Sequence, residues 1–300
     1  HRDLHSFPTR RSSDLEDEQR FEQLMELSRS ALAVRPRLLV WPEAALPAFT
    51  RANYDAITNL IAEHKVWMVF GADDAEVRRT AAGEESYDSF NAAFLFGPDG
   101  GYRTRYRKQR LVIFGEYVPW ADWLPFLKHL TPITGSFKSG TGPAPFRLTE
   151  PEVDLGVLIC FEDVFPHGAR EHVSDRTDFL LNLTNNGWFG ESAAQWQHAA
   201  NAVFRAVENG VPLVRCTNNG LTCWIDAVGR MRQIFRDEQG SEYGRGYLLV
   251  DLPLRRQAEG DTGSFYRRHG DWFGWGCVVV TAVGGLKGTL RRRRLPAVEA

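Results

Sequence analysis

The amino-acid sequence predicts an α/β fold in which buried strands alternate with helices across residues 16–253. Short apolar runs bounded by turn residues recur along the chain, and segments with the apolar spacing of helices separate several of them. Glycine- and asparagine-rich turns at 97–101 and 219–220 predict antiparallel hairpins in the same domain. These features indicate a layered α/β domain, and the sequence contains no internal repeat.

Three segments predict amphipathic helices, because their apolar residues recur every three or four positions. Pro36 ends the first segment, and Gly210 is placed to cap the third. The predicted helices are 16–34, 54–64 and 193–209.

Apolar runs shorter than these helices predict the strands. Several are apolar at consecutive positions, which is typical of parallel strands buried on both faces. The predicted strands are 38–41, 66–70, 90–96, 102–107, 153–159, 179–183, 211–217, 221–228 and 247–252.

Composition excludes several classes of protein. Apolar residues make up 43% and charged residues 25%, which is typical of globular proteins and argues against disorder. The formal net charge of −2 points to no nucleic-acid partner, and the mean hydropathy of −0.34 excludes a chain made mostly of membrane helices. Four cysteines are too few for a disulfide scaffold, although Cys216 and Cys223 are candidates for one bridge across the turn at 219–220.

The two ends differ from the body of the chain. Residues 1–15 have no periodicity and resemble a translated sequencing adapter, so we expect them to be non-native and the natural protein to continue upstream. The polar stretch 254–271 predicts a linker. Residues 272–290 predict one C-terminal transmembrane helix if Lys287 snorkels, and 291–300 a basic cytoplasmic tail. A C-terminal core strand with a basic tail is the alternative.

Four apolar strands end in ionisable or reactive residues, at the edge where open α/β sheets bind ligands. The first is followed by Glu43. The second, 106–119, opens with a basic cluster that contains Lys108, continues as an apolar run and reaches Glu116 after a glycine. The third ends at Cys160 with acidic neighbours, and the fourth continues into the polar loop 182–190. Each feature alone is equally typical of ordinary surface or core structure. Together they supply a thiol, a carboxylate and a lysine.

These three groups are what cysteine acyl chemistry needs: a nucleophile, a base for its proton and a donor for the oxyanion. Acidic neighbours raise the pKa of a thiol, so Cys160 requires a nearby cation or base. A Cys–His arrangement with His167, His172 or His198 is an alternative that the spacing leaves open. The motifs of serine hydrolases, P-loops, dinucleotide-binding folds and zinc proteases are absent, and we expect no metal site.

The motifs resemble, in order, those of the nitrilase superfamily, and within it a branch of membrane enzymes that N-acylate lipoproteins. The resemblance covers about residues 20–290 and implies an α-β-β-α sandwich with a Glu-Lys-Cys triad. The matching motifs are WPE at 41–43, RKxxLVxFGEYVP at 107–119, CFE at 160–162, NLTNxGWFGxS at 182–192 and TNNG at 217–220.

The resemblance also implies a role for each site residue. Glu43 is expected to be the general base, Lys108 the oxyanion-stabilising cation and Cys160 the nucleophile. Three further positions match residues that support activity near the thiol: Glu116, which would orient the lysine and the base, Glu162 and Trp188.

The implied reaction moves an acyl chain from a phospholipid, through a Cys160 thioester, to the α-amino group of a diacylglyceryl-cysteine lipoprotein. It needs no metal or organic cofactor and takes place at the bacterial inner membrane, with the catalytic domain outside the cytoplasm. The branch has an N-terminal bundle of membrane helices that this sequence lacks, in agreement with the expected truncation.

Residues 118–130 predict a lipid-facing arm that includes Trp120, Trp123 and Phe126, and a helix packed on the core is the alternative. The rival functions are a soluble nitrilase-type amidase acting on a small C–N substrate and an inactive fragment or binding scaffold.

Overall fold

Alternating apolar side chains on two β-sheets organise the fold into layers. The computed structural model describes residues 14–46, 50–79, 85–120, 123, 136–254 and 263–293. In it the two sheets pack face to face, and helices cover the outer face of each.

The first sheet has four strands in the order β1-β2-β3-β4. β1 and β2 are parallel, and the other neighbours are antiparallel. Two helices, α1 (Asp14–Leu32) and α2 (Arg51–His64), precede and follow the first strand. The strands are β1 (Leu38–Val40), β2 (Trp67–Arg79), β3 (Glu85–Phe96) and β4 (Tyr102–Arg107).

The second sheet has six strands in the order β10-β9-β8-β7-β6-β5. Its centre, β6-β7-β8, is parallel, and the strands on both sides are antiparallel. The strands are β5 (Phe146–Thr149), β6 (Glu152–Ile159), β7 (Thr177–Asn185), β8 (Leu213–Asn218), β9 (Cys223–Ile225) and β10 (Met231–Ile234). The remaining helices are α3 (Pro166–Glu171), α4 (Ala194–Asn209), α5 (Phe265–His269) and α6 (Trp272–Arg293).

Successive side chains of a strand point to opposite faces of its sheet, and this alternation divides the core into three hydrophobic clusters. On β2, Met68 and Phe70 pack with α1 and α2, whereas Trp67 and Val69 pack against the second sheet. On β6, Leu158 belongs to the cluster with α3 and α4 on the other side. The layers are therefore helix, sheet, sheet and helix, and the predicted nitrilase-like α-β-β-α sandwich is confirmed.

Several sequence signals act as predicted. Gly210 adopts the left-handed conformation and caps α4, and its N–H donates to carbonyls of the last turn. The glycine-rich turn at 97–101 joins β3 to β4, with Gly100 at φ 76°. The hairpin between β8 and β9 forms around Asn219, whose φ is 53°.

The candidate disulfide across this hairpin does not form, and the predicted strand at 247–252 is wrong. Cys216 and Cys223 are free thiols: Cys223 lies opposite Arg215 rather than Cys216, so the two sulfurs are on opposite faces of the sheet. Residues 247–252 pair with no strand in the described part of the chain, and Tyr247 and Leu249 are exposed. The strands β5 and β10 were not predicted, because they are short and mix polar with apolar residues.

The C-terminal segment is helical, as predicted, and not the alternative core strand. The interval 254–271 contains α5, whose first turn is capped by Ser264 and whose carbonyls accept bonds from Arg170. α6 covers the predicted transmembrane segment 272–290, but its apolar run is interrupted at Lys287. None of the helices in the described ranges is long and apolar enough to cross a membrane.

Candidate active site

Glu43, Lys108 and Cys160 meet at one edge of the two facing sheets. Glu43 follows β1, Lys108 directly follows β4, and Cys160 directly follows β6. Each residue is thus placed by the end of a strand, in agreement with the sequence expectation for such sheets. The side chains of Glu43 and Lys108 are buried, and Cys160 is half-buried.

The Glu43 backbone is held against β2 by a glycine. The Gly71 N–H donates to the Pro42 carbonyl, and the Gly71 carbonyl accepts from the N–H of Ala45. A Cβ on Gly71 would lie 2.6 Å from the Glu43 Cα and 2.7 Å from the Pro42 oxygen. This close approach requires glycine at position 71 and fixes where the Glu43 side chain begins.

Lys108 is fully buried between two carboxylates. Its Nζ donates to Glu43 Oε1 at 3.2 Å and to Glu116 Oε1 at 2.9 Å. Burial alone would lower the pKa of Lys108, but the pKa is raised overall, and the negative charges of Glu43 and Glu116 are causes of this increase at neutral pH. Lys108 is therefore an ammonium ion at neutral pH.

A residue that the sequence reasoning did not identify completes this cluster. The Asn91 Nδ2 donates to Glu43 Oε1 at 2.7 Å and to Glu116 Oε1 at 2.8 Å, the same two oxygens that Lys108 contacts. The signal for Asn91 was present as the one polar side chain in the predicted strand 90–96.

Backbone N–H groups hold the other carboxylate oxygens of the cluster. Glu43 Oε2 accepts from the Asn185 N–H at 2.7 Å, and Glu116 Oε2 accepts from the Val112 N–H at 2.8 Å. Both carboxylates are thereby fixed in orientation as well as paired with a cation.

Cys160 occupies a strained position at the start of the turn Cys160–Val164. Its φ is 53°, in the left-handed region that costs a residue with a side chain about 1–2 kcal/mol. Such conformations persist where the surrounding structure enforces them, often at active sites.

The environment keeps the Cys160 sulfur protonated in the resting state. Burial is the largest cause that raises the pKa of the thiol, and the charges of Glu43 and Asp163 raise it further. Lys108 and the Asn185 N–H lower it, without cancelling those effects. Because the thiol does not ionise on its own at neutral pH, it would need a base to accept its proton in order to act as a nucleophile.

Glu162 joins the Cys160 turn to the segment that carries Lys108. Its carboxylate accepts from the Ile159 N–H at 2.8 Å and, on the other side, from the Gln109 N–H at 2.7 Å and the Tyr106 hydroxyl at 2.8 Å. Burial raises the pKa of Glu162. These contacts make Glu162 a structural bridge between the Cys160 turn and the end of β4.

The three histidines of the alternative Cys–His arrangement have other partners. His167 lies 3.9 Å from Asp271, His172 stacks edge-on against Tyr106, and His198 contacts Asp163 at 3.1 Å. Burial lowers the pKa of His172 to about 4. The structure brings a carboxylate, and none of these imidazoles, to the candidate base position.

Four predicted residues remain, and the structure describes the side chains of two of them. Trp120 and Trp123 are exposed, whereas Phe126 is not among the described residues. Trp188 lies in the short 3₁₀ helix Gly187–Phe189, and its side chain is not among those described. In the described ranges, no group of three or more histidine, cysteine, aspartate or glutamate side chains is placed to hold a metal ion.

The chain is similar in sequence to larger proteins. It is 39% identical over 262 residues to the apolipoprotein N-acyltransferase of Geobacter metallireducens, with 86% of this chain and 47% of that protein covered. It is 29% identical over 306 residues to the apolipoprotein N-acyltransferase of Chlorobaculum tepidum, with 95% of this chain and 56% of that protein covered. The chain spans about half the length of these relatives.

The fold is similar to that of a solved amidase from Nesterenkonia sp., with a TM-score of 0.54 at 15% identity over 73% of this chain and 80% of that chain. This likeness concerns the fold alone. The model of the carbon-nitrogen hydrolase family matches residues 9–257, beginning inside the segment 1–15 that was expected to be non-native. Because that match covers most of the sequence, the chain belongs to the carbon-nitrogen hydrolase family.

Proposed function

We propose that this chain is the catalytic portion of a lipoprotein N-acyltransferase of the bacterial inner membrane. The observation that carries the proposal is the buried contact of Lys108 with Glu43 beside a strained, protonated Cys160. The similarity to proteins named apolipoprotein N-acyltransferase supports the choice of acyl donor and acceptor. The proposed donor is a phospholipid, and the proposed acceptor is the α-amino group of a diacylglyceryl-cysteine lipoprotein.

The first half-reaction forms a thioester. The Cys160 sulfur attacks the carbonyl carbon of the sn-1 ester while Glu43 accepts the thiol proton. The resulting tetrahedral oxyanion is stabilised by the Lys108 ammonium and a backbone N–H near Phe161. The C–O bond then breaks, the lysophospholipid oxygen takes the proton from Glu43, and the acyl group remains on sulfur.

The second half-reaction transfers the acyl group to the lipoprotein and regenerates the Cys160 thiol. The neutral α-amino nitrogen of the lipoprotein attacks the thioester carbonyl, and Glu43 accepts a proton from that nitrogen. The C–S bond breaks, the Cys160 sulfur regains the proton from Glu43, and an amide has formed. Lys108 keeps its proton in both halves, which is supported by the raised pKa of its ammonium.

Membrane attachment through α6 is part of the proposal. The apolar side chains of this helix are exposed along most of its length, among them Trp275, Val280 and Leu286. An exposed apolar surface of this extent is stabilised by burial among lipid acyl chains. The proposed placement has the catalytic domain on the extracytoplasmic side of the membrane, with the apolar surface of α6 against lipid.

An assay with an isotopically labelled acyl donor tests the proposed function. The purified chain is mixed with detergent-dispersed phospholipid that carries an isotopically labelled sn-1 acyl chain, and then with a synthetic diacylglyceryl-cysteine peptide. Mass spectrometry is expected to show the label first on Cys160 and then on the peptide α-nitrogen. Cys160→Ala should abolish both, whereas Cys277→Ala, which removes an exposed thiol on α6, should change neither.

Two results would contradict the proposal. Acyl label on the peptide in the Cys160→Ala variant would exclude Cys160 as the nucleophile. Hydrolysis of small amides by a chain that takes no label from phospholipid would instead favour the amidase.

A further inference from the structure

A fully buried asparagine lies in the middle of the second sheet. Asn182 on β7 is in register with Leu158 of β6 and with Arg215 of β8. Central parallel strands consist mainly of aliphatic residues, and asparagine is depleted in strands. Because a buried amide is retained where its hydrogen bonds are satisfied, the partners of Asn182 indicate what it does.

The Asn182 amide is bonded to the nucleophile turn. Its Nδ2 donates to the backbone carbonyl of Cys160 at 3.2 Å and to Asp163 Oδ2 at 2.8 Å. Its Oδ1 accepts from the Thr184 hydroxyl at 2.5 Å. One side chain therefore connects the first residue of the turn to a carboxylate three residues later.

That carboxylate is itself held in place by a buried cation. Asp163 Oδ2 accepts from Arg215 Nη1 at 2.6 Å, and neither side chain has exposed surface. Asp163 Oδ1 lies 3.1 Å from His198 Nε2. A buried ion pair resists displacement, because separating it leaves an uncompensated charge in the interior. The pair is thus a rigid support for the Asn182 amide.

Helix α4 holds the far end of the same turn. Arg205 Nη1 donates to the carbonyls of Asp163 at 2.9 Å and Val164 at 3.2 Å. Carbonyls at both ends of the turn are consequently bonded to side chains of β7 and α4. The left-handed conformation of Cys160 lies between these fixed points.

We propose that Asn182 is a positioning residue for the nucleophile. By bonding the Cys160 carbonyl, with the Asp163–Arg215 pair as its support, it holds Cys160 in the left-handed conformation that directs the sulfur toward Lys108 and Glu43. Asn182 acts through Cys160 and does not contact substrate. Two measurements test this role, and only the first of them, the rate of Cys160 acylation, rests on the proposed function.

The test compares Asn182→Leu with Asn209→Leu. Both replace a fully buried asparagine whose Nδ2 donates to a backbone carbonyl, but the acceptor for Asn209 is the Arg205 carbonyl within α4 and not a carbonyl of the turn. Asn182→Leu should lower kcat for acylation of Cys160 about 10–100-fold with little change in KM, the loss expected from a displaced reacting group. Asn209→Leu should leave both parameters near those of the wild type.

A second readout needs no acyl donor. Glu43, Asp163 and Lys108 are the charged groups that act on the Cys160 thiol, and burial is the largest cause of its raised pKa. Release of the turn should therefore move the pH profile of Cys160 alkylation by iodoacetamide toward that of free cysteine, near pH 8.5. Asn209→Leu should keep the wild-type profile even where it lowers the melting temperature.

The positioning role is overturned if Asn182→Leu keeps the wild-type acylation rate and alkylation profile. If circular dichroism shows that Asn182→Leu does not fold, Asn182→Ser, too short to reach the Cys160 carbonyl, is tested with the same readouts. If the wild type takes no acyl group from phospholipid, the proposed function fails, and the alkylation profiles alone decide whether Asn182 positions Cys160.

Discussion

Lys108 and Asn91 are connected twice at the centre of the candidate site. The Lys108 backbone N–H donates to the Asn91 carbonyl at 2.8 Å, and the two side chains donate to the same carboxylate oxygens. One ammonium thus serves two carboxylates, Glu43 and Glu116, and the Asn91 amide adds a second donor to each without adding charge.

Removal of the Asn91 amide should impair catalysis more than folding. We expect Asn91→Ala to lower the rate of Cys160 acylation about 10–100-fold, because both carboxylates lose a fixed donor. Asn91→Asp should be more severe, because it places a third carboxylate beside one ammonium. The rate is measured in a single turnover with labelled phospholipid, with Asn209→Ala as the control for loss of a buried amide. Wild-type acylation by Asn91→Asp would contradict the assignment.

The negative charge of Glu43 should change the pH dependence of Cys160 alkylation. Glu43→Gln removes the largest charge effect that raises the pKa of Cys160, so the pH profile of alkylation should shift to lower pH. Acyl transfer should fall sharply in the same variant, because the proposed base is gone. The control is Glu116→Gln, which also removes a carboxylate from Lys108.

We expect Glu116→Gln to move the alkylation profile less than Glu43→Gln does. Mass spectrometry of the modified Cys160 peptide across a pH series measures both shifts. Equal shifts in the two variants would show that Glu43 acts on the sulfur only through Lys108, and would contradict a direct interaction.

The positions of the three central site residues could be predicted from the sequence, because each of them follows a predicted strand. Glu43 and Cys160 each come after an apolar run that predicts a strand, and Lys108 follows the strand predicted at 102–107 after the glycine-rich turn. Their meeting at one edge therefore follows from α/β sheet topology. The helix caps were predictable for a similar local reason, as Gly210 demonstrates.

The supporting contacts were not predictable because they depend on register between distant strands. Asn91 and Lys108 are adjacent only through the pairing of β3 with β4, and Asn182 meets Arg215 only through the pairing of β7 with β8. In the sequence, each appears as one polar residue in or beside an apolar run. The same dependence explains why the candidate bridge between Cys216 and Cys223 does not form, because register places Cys223 opposite Arg215.

His172 should make stability depend on pH between about 4 and 6.5. Burial lowers the pKa of this side chain to about 4 from 6.5, so the native state binds fewer protons than the unfolded state in that window. The free energy of unfolding therefore rises with pH across it, and His172 accounts for about 3 kcal/mol, since each pKa unit corresponds to about 1.4 kcal/mol.

Denaturant unfolding in mild detergent at several pH values measures the effect of His172. His172→Gln should flatten the dependence between pH 4 and 6.5, whereas His64→Gln, at an exposed position on α2, should leave it unchanged. An unchanged slope in His172→Gln would show that other groups cause the acid sensitivity.

Trp120 and Trp123 should contribute to the use of lipid substrate. Their exposed fractions are 71% and 86%, so their indoles add little to the folded core. They follow Glu116 closely in the chain, and transfer of a large apolar side chain from water contributes about 1.5–3 kcal/mol. We expect the double variant Trp120→Ser, Trp123→Ser to raise the KM for vesicle phospholipid about tenfold or more, with kcat and the free energy of unfolding little changed. The control is Tyr87→Ser, which removes an exposed aromatic ring from β3. A loss of folding in the double variant, or an unchanged KM, would show that the two tryptophans do not act on lipid.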